Sequence, residues 1–277
     1  MRARQVVAVL ILAVGGCLQA AFAHASSRDA SAELLRLLGY DVYVQGVSEA
    51  LRDTDNAISG DGSGLSVAWD LAASETFPPE KMLSEIVAAI DGTIDAAHIA
   101  EATSFLTSDL GRRVTQLEME AQKPGQSGRV DQEGAALLAA LIASDDDRLE
   151  AYTRMIEALG AIDAGVASAM NLNYAIYAGM SQSGLLPYHL SEAELLELVA
   201  SQRDMMRADI QDQMYMTFAF TYRDLSDQDL AQYMAFLTSK SGRAVYSAIN
   251  LATDDVMGRR AHLFGARLMQ LQGVQEL

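Results

Sequence analysis

Two stretches of the chain, 131 residues apart, have nearly the same sequence. Residues 104–114 read SFLTSDLGRRV and residues 235–245 read AFLTSKSGRAV, with identical residues at seven of the eleven positions. In both, an apolar segment ends at a Ser, and a Gly follows three residues later. This pattern is typical of a helix N-cap followed by a first turn in which a missing side chain lets two backbones approach closely. A chain that repeats it is constrained to build the same helical joint twice.

Helical periodicity surrounds the second copy. Apolar residues recur at spacings of three and four, at Leu230, Tyr233, Met234 and Leu237, which predicts an amphipathic helix with one buried stripe. Ser226 is a natural N-cap for this helix, and Ser239 for the next one. Because no long segment alternates polar and apolar residues with period two, the sequence predicts an all-α fold with little or no sheet.

A second pair of similar segments extends the repeat. Residues 31–38 read SAELLRLL and residues 192–199 read EAELLELV, at an offset of 161. This offset exceeds the first by 30 residues, and we assign the excess to a loop insertion near 58–79, a segment rich in turn formers. We therefore predict duplicated helical-hairpin units, the first at 29–122 with the insertion and the second at 189–277.

The segment between the two units, 123–188, is predicted to hold a linker and a central helical pair. Residues 123–128 read KPGQSG, which is typical of a linker. Ser144 is a candidate N-cap for the first central helix, and the second should run from about residue 162 to about residue 180. After it, Ser191 and Glu194 have the spacing of a capping box.

The first 25 residues resemble a signal peptide. Arg2 and Arg4 precede an apolar run at 6–14, and small-x-small cleavage sites follow at 21–25. A membrane-spanning helix needs about 20 residues, so we predict no transmembrane helix and a periplasmic or secreted protein. The alternative is a membrane-tethered lipoprotein, because VGGC at residues 14–17 also resembles a lipobox that would place a lipid anchor on Cys17.

The charge of the chain limits its partners. The formal net charge is −17 at pH 7, and a surface this acidic repels nucleic-acid phosphates and anionic lipid headgroups. We therefore expect no nucleic acid, and a protein or an envelope polymer as the partner. No cofactor is indicated by any motif.

Residues of the second copy resemble a known family. YRDLSDQDL at 222–230, MAFLTS at 234–239 and the Gly that follows at 242 are similar to the bacterial exported proteins grouped as domain of unknown function 2059. The resemblance covers about 205–260 and, less closely, about 82–122. The family has Pro where this chain has Asp109 and Lys240. The resemblance implies an α-helical exported protein, and it brings no established activity and no functional residues.

Motifs of catalysis are absent from the sequence. We find no Gly-x-Ser-x-Gly elbow, no His-Glu-x-x-His pair, no phosphate-binding glycine loop and no Ser-x-x-Lys. Of the four histidines, His24 lies at the predicted cleavage site, and no metal-binding motif is recognised around His98, His189 or His262. No catalytic, cofactor-binding or metal-binding residue is therefore assigned.

Two further groups of residues have alternative interpretations. Thioethers can bind Cu(I), and four methionines are clustered at Met205, Met206, Met214 and Met216. Helical spacing of Met206 and Met214 with Ile210 and Phe218 favours a core stripe instead. Arg112 and Arg243 follow the repeated glycine, and they either pair with acids across the hairpin or share an anionic ligand.

The function predicted from these features is a non-catalytic interaction or cell-envelope-associated module. Two alternatives stay open at this point: an envelope hydrolase whose active site is dispersed along the chain, and a methionine-based periplasmic metal binder.

Overall fold

The computed structural model describes residues 27–59, 64–123, 126–182 and 190–273. These residues form helices joined by short turns, and none of them is in a strand, so the all-α prediction is confirmed. The helices are α1 (27–37), α2 (Tyr40–Ser59), α3 (Gly64–Thr76), α4 (Pro79–Ile90), α5 (Ala96–Leu106), α6 (Asp109–Ala121), α7 (Ser127–Ser144), α8 (Arg148–Leu159), α9 (Ala161–Gln182), α10 (Glu192–Ser201), α11 (Arg203–Thr221), α12 (Asp227–Leu237) and α13 (Lys240–Gly273). The predicted signal peptide and Cys17 lie outside the described residues.

The longest helix, α13, is the centre around which the others pack. It contacts α3, α4, α5, α8, α9 and α12. Its core residues recur at spacings of three, four and eight, at Val245, Ile249, Ala252, Val256, Phe264 and Leu268, which matches one stripe of a helix.

The two repeated segments build joints of the same local geometry. Ser108 Oγ accepts a hydrogen bond from the Gly111 amide at 3.0 Å, and Ser239 Oγ accepts one from the Gly242 amide at 2.9 Å. Each serine therefore satisfies one of the free amides in the first turn of its helix. The predicted N-caps are confirmed at both joints.

The hairpins α5–α6 and α12–α13 pack against each other through equivalent residues. The rings of Phe105 and Phe236, which occupy the same position in the two copies, stack at 4.1 Å between centroids with 9° between their planes. The α5 helix contacts α13, and α6 contacts α12. Contact between equivalent residues is typical of a two-fold-like arrangement. That the units arose by duplication stays a prediction.

The loop predicted near 58–79 is wrong for the residues that the structure describes there. These include α3 and the start of α4. Trp69 is buried, donates from Nε1 to the Leu51 carbonyl at 2.8 Å, and meets the Phe264 ring edge-on at 4.8 Å. Ala68, Ala72 and Ala73 are buried beside it. Packing against α13 thus outweighs the turn-forming residues in this segment.

The predicted central segment, 123–188, contains three helices in its described part, α7, α8 and α9, and not a pair. The second helix predicted there, from about residue 162 to about residue 180, is present as α9. Ser144 does not begin a helix; it is the last residue of α7, and its hydroxyl donates to the Ala140 carbonyl at 3.0 Å. Asp145 follows in the left-handed conformation with φ 52°, and Asp147 precedes α8. The sequence analysis did not predict α7, because the glycines near its start are typical of a linker. The capping box at Ser191 is confirmed.

Candidate functional site

A cavity of about 610 Å³ lies between α2, α6, α11 and the hairpin α12–α13. Its volume falls within the range of small-molecule sites, about 300–1,000 Å³. Five tyrosines contribute to its lining, namely Tyr40, Tyr43, Tyr222, Tyr233 and Tyr246. We call it the tyrosine cavity.

The rest of the cavity wall is mostly apolar. One side is the face of α2 that carries Val42, Gly46 and Val47, and the opposite side carries Met214 and Phe218 of α11. These spacings place the residues on one stripe of each helix. A ligand in this cavity would exchange water for apolar contacts over most of its surface.

One carboxyl group lies at the polar end of the tyrosine cavity. Glu118 of α6 accepts two hydrogen bonds at its Oε1, from the hydroxyls of Tyr222 and Tyr233, each at 2.7 Å. The Tyr246 hydroxyl lies 3.4 Å from that of Tyr233. No described residue donates a hydrogen bond to Glu118 Oε2, so one carboxylate oxygen is satisfied by protein and the other is open.

The surroundings of Glu118 shift several protonation equilibria. Burial raises the pKa of the Glu118 carboxyl above its ordinary value, and the two tyrosine hydrogen bonds oppose part of this rise. Burial and the adjacent Glu118 charge raise the pKa of Tyr222 and Tyr233 well above their ordinary values. The tyrosine hydroxyls therefore stay protonated and act as hydrogen-bond donors.

Lys123 and Thr221 are among the other polar residues of the lining. Lys123 is ion-paired with Glu120, three residues earlier in the chain. Thr221 is 3% exposed, and its Oγ1 has no hydrogen-bond partner. An unsatisfied buried hydroxyl costs free energy.

The histidines of the described chain lie away from this cavity. His98 Nδ1 is 2.8 Å from Ser241 Oγ, and that hydroxyl in turn donates to Glu101 Oε2 at 2.5 Å. These three residues are of the types found in a catalytic triad, but the serine lies between the histidine and the acid, whereas a triad has the histidine in the middle. Because the single hydroxyl proton goes to Glu101, His98 is the donor to Ser241 and does not activate it as a base. His24 and His189 lie outside the described residues.

The two arginines after the repeated glycine differ in their surroundings. Arg112 bonds to Asp109 at 2.6 Å within its own helix, so the expected pairing across the hairpin is wrong for this residue. Lys240 occupies the matching position in the second hairpin, and the exposed Arg243 side chain forms no ion pair with a described residue. The pair across the hairpins is Arg113 with Asp229, at 3.2 Å.

The methionine cluster is divided between different environments. Met214 lines the tyrosine cavity, whereas Met205 is 62% exposed. Met206 and Met216 are half-buried. In the part of the chain that the structure describes, no three His, Cys, Asp or Glu residues are grouped as metal ligands would be.

The sequence did not point to Glu118 or to the tyrosines around it. Glu118, Tyr222 and Tyr233 lie on three different elements and more than 100 residues separate the glutamate from either tyrosine. The one local signal is the spacing of Tyr40 and Tyr43, which places both rings on one face of α2.

Comparison of the chain with family models, with curated proteins and with solved structures gave no match. The family resemblance of residues 222–242 therefore stays an expectation. Among the helices that the structure describes, none combines the length and the apolar character needed to cross a membrane.

Proposed function

We propose that this chain is an exported, non-catalytic binding protein that holds an amphiphilic small molecule in the tyrosine cavity. The single observation that supports this function is a cavity of about 610 Å³ with apolar walls and one open carboxylate oxygen at its polar end. Such a combination of an apolar wall with few polar groups suits binding of a ligand in one orientation. Export rests on the sequence of residues 1–25, and a protein or envelope-polymer partner stays a prediction.

Binding is favoured over hydrolysis by the chemistry of the lining. A hydrolase needs a nucleophile within hydrogen-bond reach of a base that activates it. In the tyrosine cavity, the hydroxyls bonded to Glu118 belong to Tyr222 and Tyr233, whose raised pKa values keep them protonated. These hydroxyls donate hydrogen bonds to the Glu118 carboxylate and hold it in place. The carboxylate can then orient a bound ligand.

Filling the cavity should abolish binding without unfolding the protein. Gly46 lines the cavity from α2, and a β-carbon there would meet nothing closer than the Gln122 carbonyl oxygen at 3.6 Å. We expect Gly46→Leu to occupy the cavity and to reduce the affinity for the neutral apolar fluorophore phenylnaphthylamine at least about tenfold. Its free energy of unfolding should rise by about 0.5 kcal/mol, because glycine weakens a helix interior. Fluorescence titration and urea unfolding measure both effects.

The matched control is Gly128→Leu. Gly128 is helical in α7, lies outside the lining, and has no atom near the position of an added β-carbon. This variant should bind the fluorophore as the unmodified protein does. Equal binding by Gly46→Leu, or no binding by the unmodified protein, would show that the cavity is not a ligand site.

A further inference from the structure

We propose that the tyrosine cavity selects amphiphilic organic cations, which are molecules that carry an amine or ammonium group on an apolar body. This inference rests on the proposed function and adds to it the sign of the ligand's charge.

The charges around the cavity favour a cation. Among the lining residues that the structure describes, Glu118 has the one carboxylate and Lys123 has the one ammonium group. Lys123 is ion-paired with Glu120, whereas Glu118 is hydrogen-bonded to neutral hydroxyls. A carboxylate that is partly withdrawn from water and has no cationic partner is costly. A bound ammonium group would remove that cost.

The geometry of Glu118 defines what the ligand must offer. The Tyr222 and Tyr233 hydroxyl protons are both directed to Oε1, so they hold the carboxylate in one orientation. Its Oε2 is the open acceptor, and an N–H group of a ligand can donate to it. A ligand carboxylate would instead place a second negative charge beside Glu118.

The aromatic lining supports the same ligand class. The faces of tyrosine rings attract cations, and Tyr40 and Tyr43 are adjacent on α2 with ring centroids 5.1 Å apart. Apolar residues such as Val47 and Phe218 lie beside them. The formal charge of the whole chain, −17, also raises the local concentration of cations.

Titration of Glu118 should control the affinity. The other ionisable groups that face it are Tyr222, Tyr233, Tyr246 and, at the far side of the cavity, Tyr40. Burial raises the pKa of all four tyrosines, and an ordinary tyrosine already titrates at about 10. Among the lining residues that the structure describes, Glu118 is therefore the group that loses its charge on acidification. Its pKa is raised by burial, so cation binding is present above that pKa and is lost as the pH falls through it.

The test is isothermal titration calorimetry on the full chain with three ligands of equal length: decylammonium, decanol and decanoate. At pH 8 we expect decylammonium to bind at least about tenfold more tightly than decanol, as a charged hydrogen bond would give, and decanoate to bind most weakly. Glu118→Gln keeps the size of the side chain and should lower the affinity for decylammonium at least about tenfold while leaving the affinity for decanol within about twofold.

Two controls make the result decisive. Glu157→Gln removes a charge of the same sign from an exposed position on α8. The Glu157→Gln protein should bind all three ligands as the unmodified protein does. If Glu118→Gln does not fold, the unmodified protein titrated at a series of falling pH values replaces it, and we expect binding of decylammonium to weaken along the series while binding of decanol stays unchanged. Equal affinity for all three ligands would overturn the cation proposal and leave the binding function standing. If the unmodified protein binds none of the three ligands, both the cation proposal and the proposed binding function are overturned.

Discussion

Gly242→Ala should lower the free energy of unfolding by about 3 kcal/mol, although alanine is the better helix former. A β-carbon on Gly242 would lie 2.1 Å from the Phe236 carbonyl oxygen and 3.0 Å from that of Leu237. Both are backbone atoms at the end of α12, so they cannot rotate away as a flexible side chain could. Relief of the overlap requires the hairpin α12–α13 to open. Urea unfolding monitored by circular dichroism measures the loss.

The first joint offers the parallel variant. A β-carbon on Gly111 would also lie 2.1 Å from a carbonyl oxygen, that of Phe105, so Gly111→Ala should have an effect of similar size. Gly128→Ala is the control, since that helical glycine has open space around it, and it should stabilise the protein by about 0.5 kcal/mol. If Gly242→Ala were as stable as Gly128→Ala, the close approach at the joint would be disproved.

The second large effect is expected at a buried ion pair. Arg260 of α13 is 2% exposed, and its guanidinium bonds to both carboxylate oxygens of Glu85 and, at 2.9 Å, to the Thr76 carbonyl. We expect Arg260→Met to lower the free energy of unfolding by about 3 kcal/mol, because it leaves a carboxylate and a carbonyl without their donor. Glu85 retains some contact with water, which places the effect at the lower end of the usual range.

A surface pair on the same helix provides the comparison. Arg267 is bonded to Glu75 with both side chains partly exposed, so Arg267→Met should cost under about 1 kcal/mol. The double variant Arg260→Met with Glu85→Leu should recover most of the loss, since it removes both buried charges. Equal costs for Arg260→Met and Arg267→Met in thermal or urea unfolding would show that burial of the Arg260 pair adds nothing.

Local signals explain why the joints could be predicted from the sequence. A serine N-cap and a glycine three residues later act within one turn of helix, so the sequence at Ser108 and Ser239 is enough to locate them. The all-α class follows from periodicity in the same way. The helices that were missed, α3 and α7, begin near glycines, and they are held by distant contacts such as that of Trp69 with Phe264.

The candidate site could not be predicted from spacing. Glu118 receives its hydrogen bonds from residues of two elements that are remote in the chain, and the way in which α6 packs against α11 and α12 determines whether they meet. The Thr221 hydroxyl is left unsatisfied, and no local pattern in the sequence marks it. A glutamate in an amphipathic helix otherwise indicates a solvated face.

The most direct test of ligand binding in the tyrosine cavity is native mass spectrometry of the protein recovered from its own cells. We predict a non-covalently bound molecule on the unmodified chain and on Gly128→Leu, and none on Gly46→Leu. The molecule should be released as a cation when the complex is dissociated. A bound molecule that persists on Gly46→Leu, or no bound molecule on any of the three proteins, would contradict ligand binding in the tyrosine cavity.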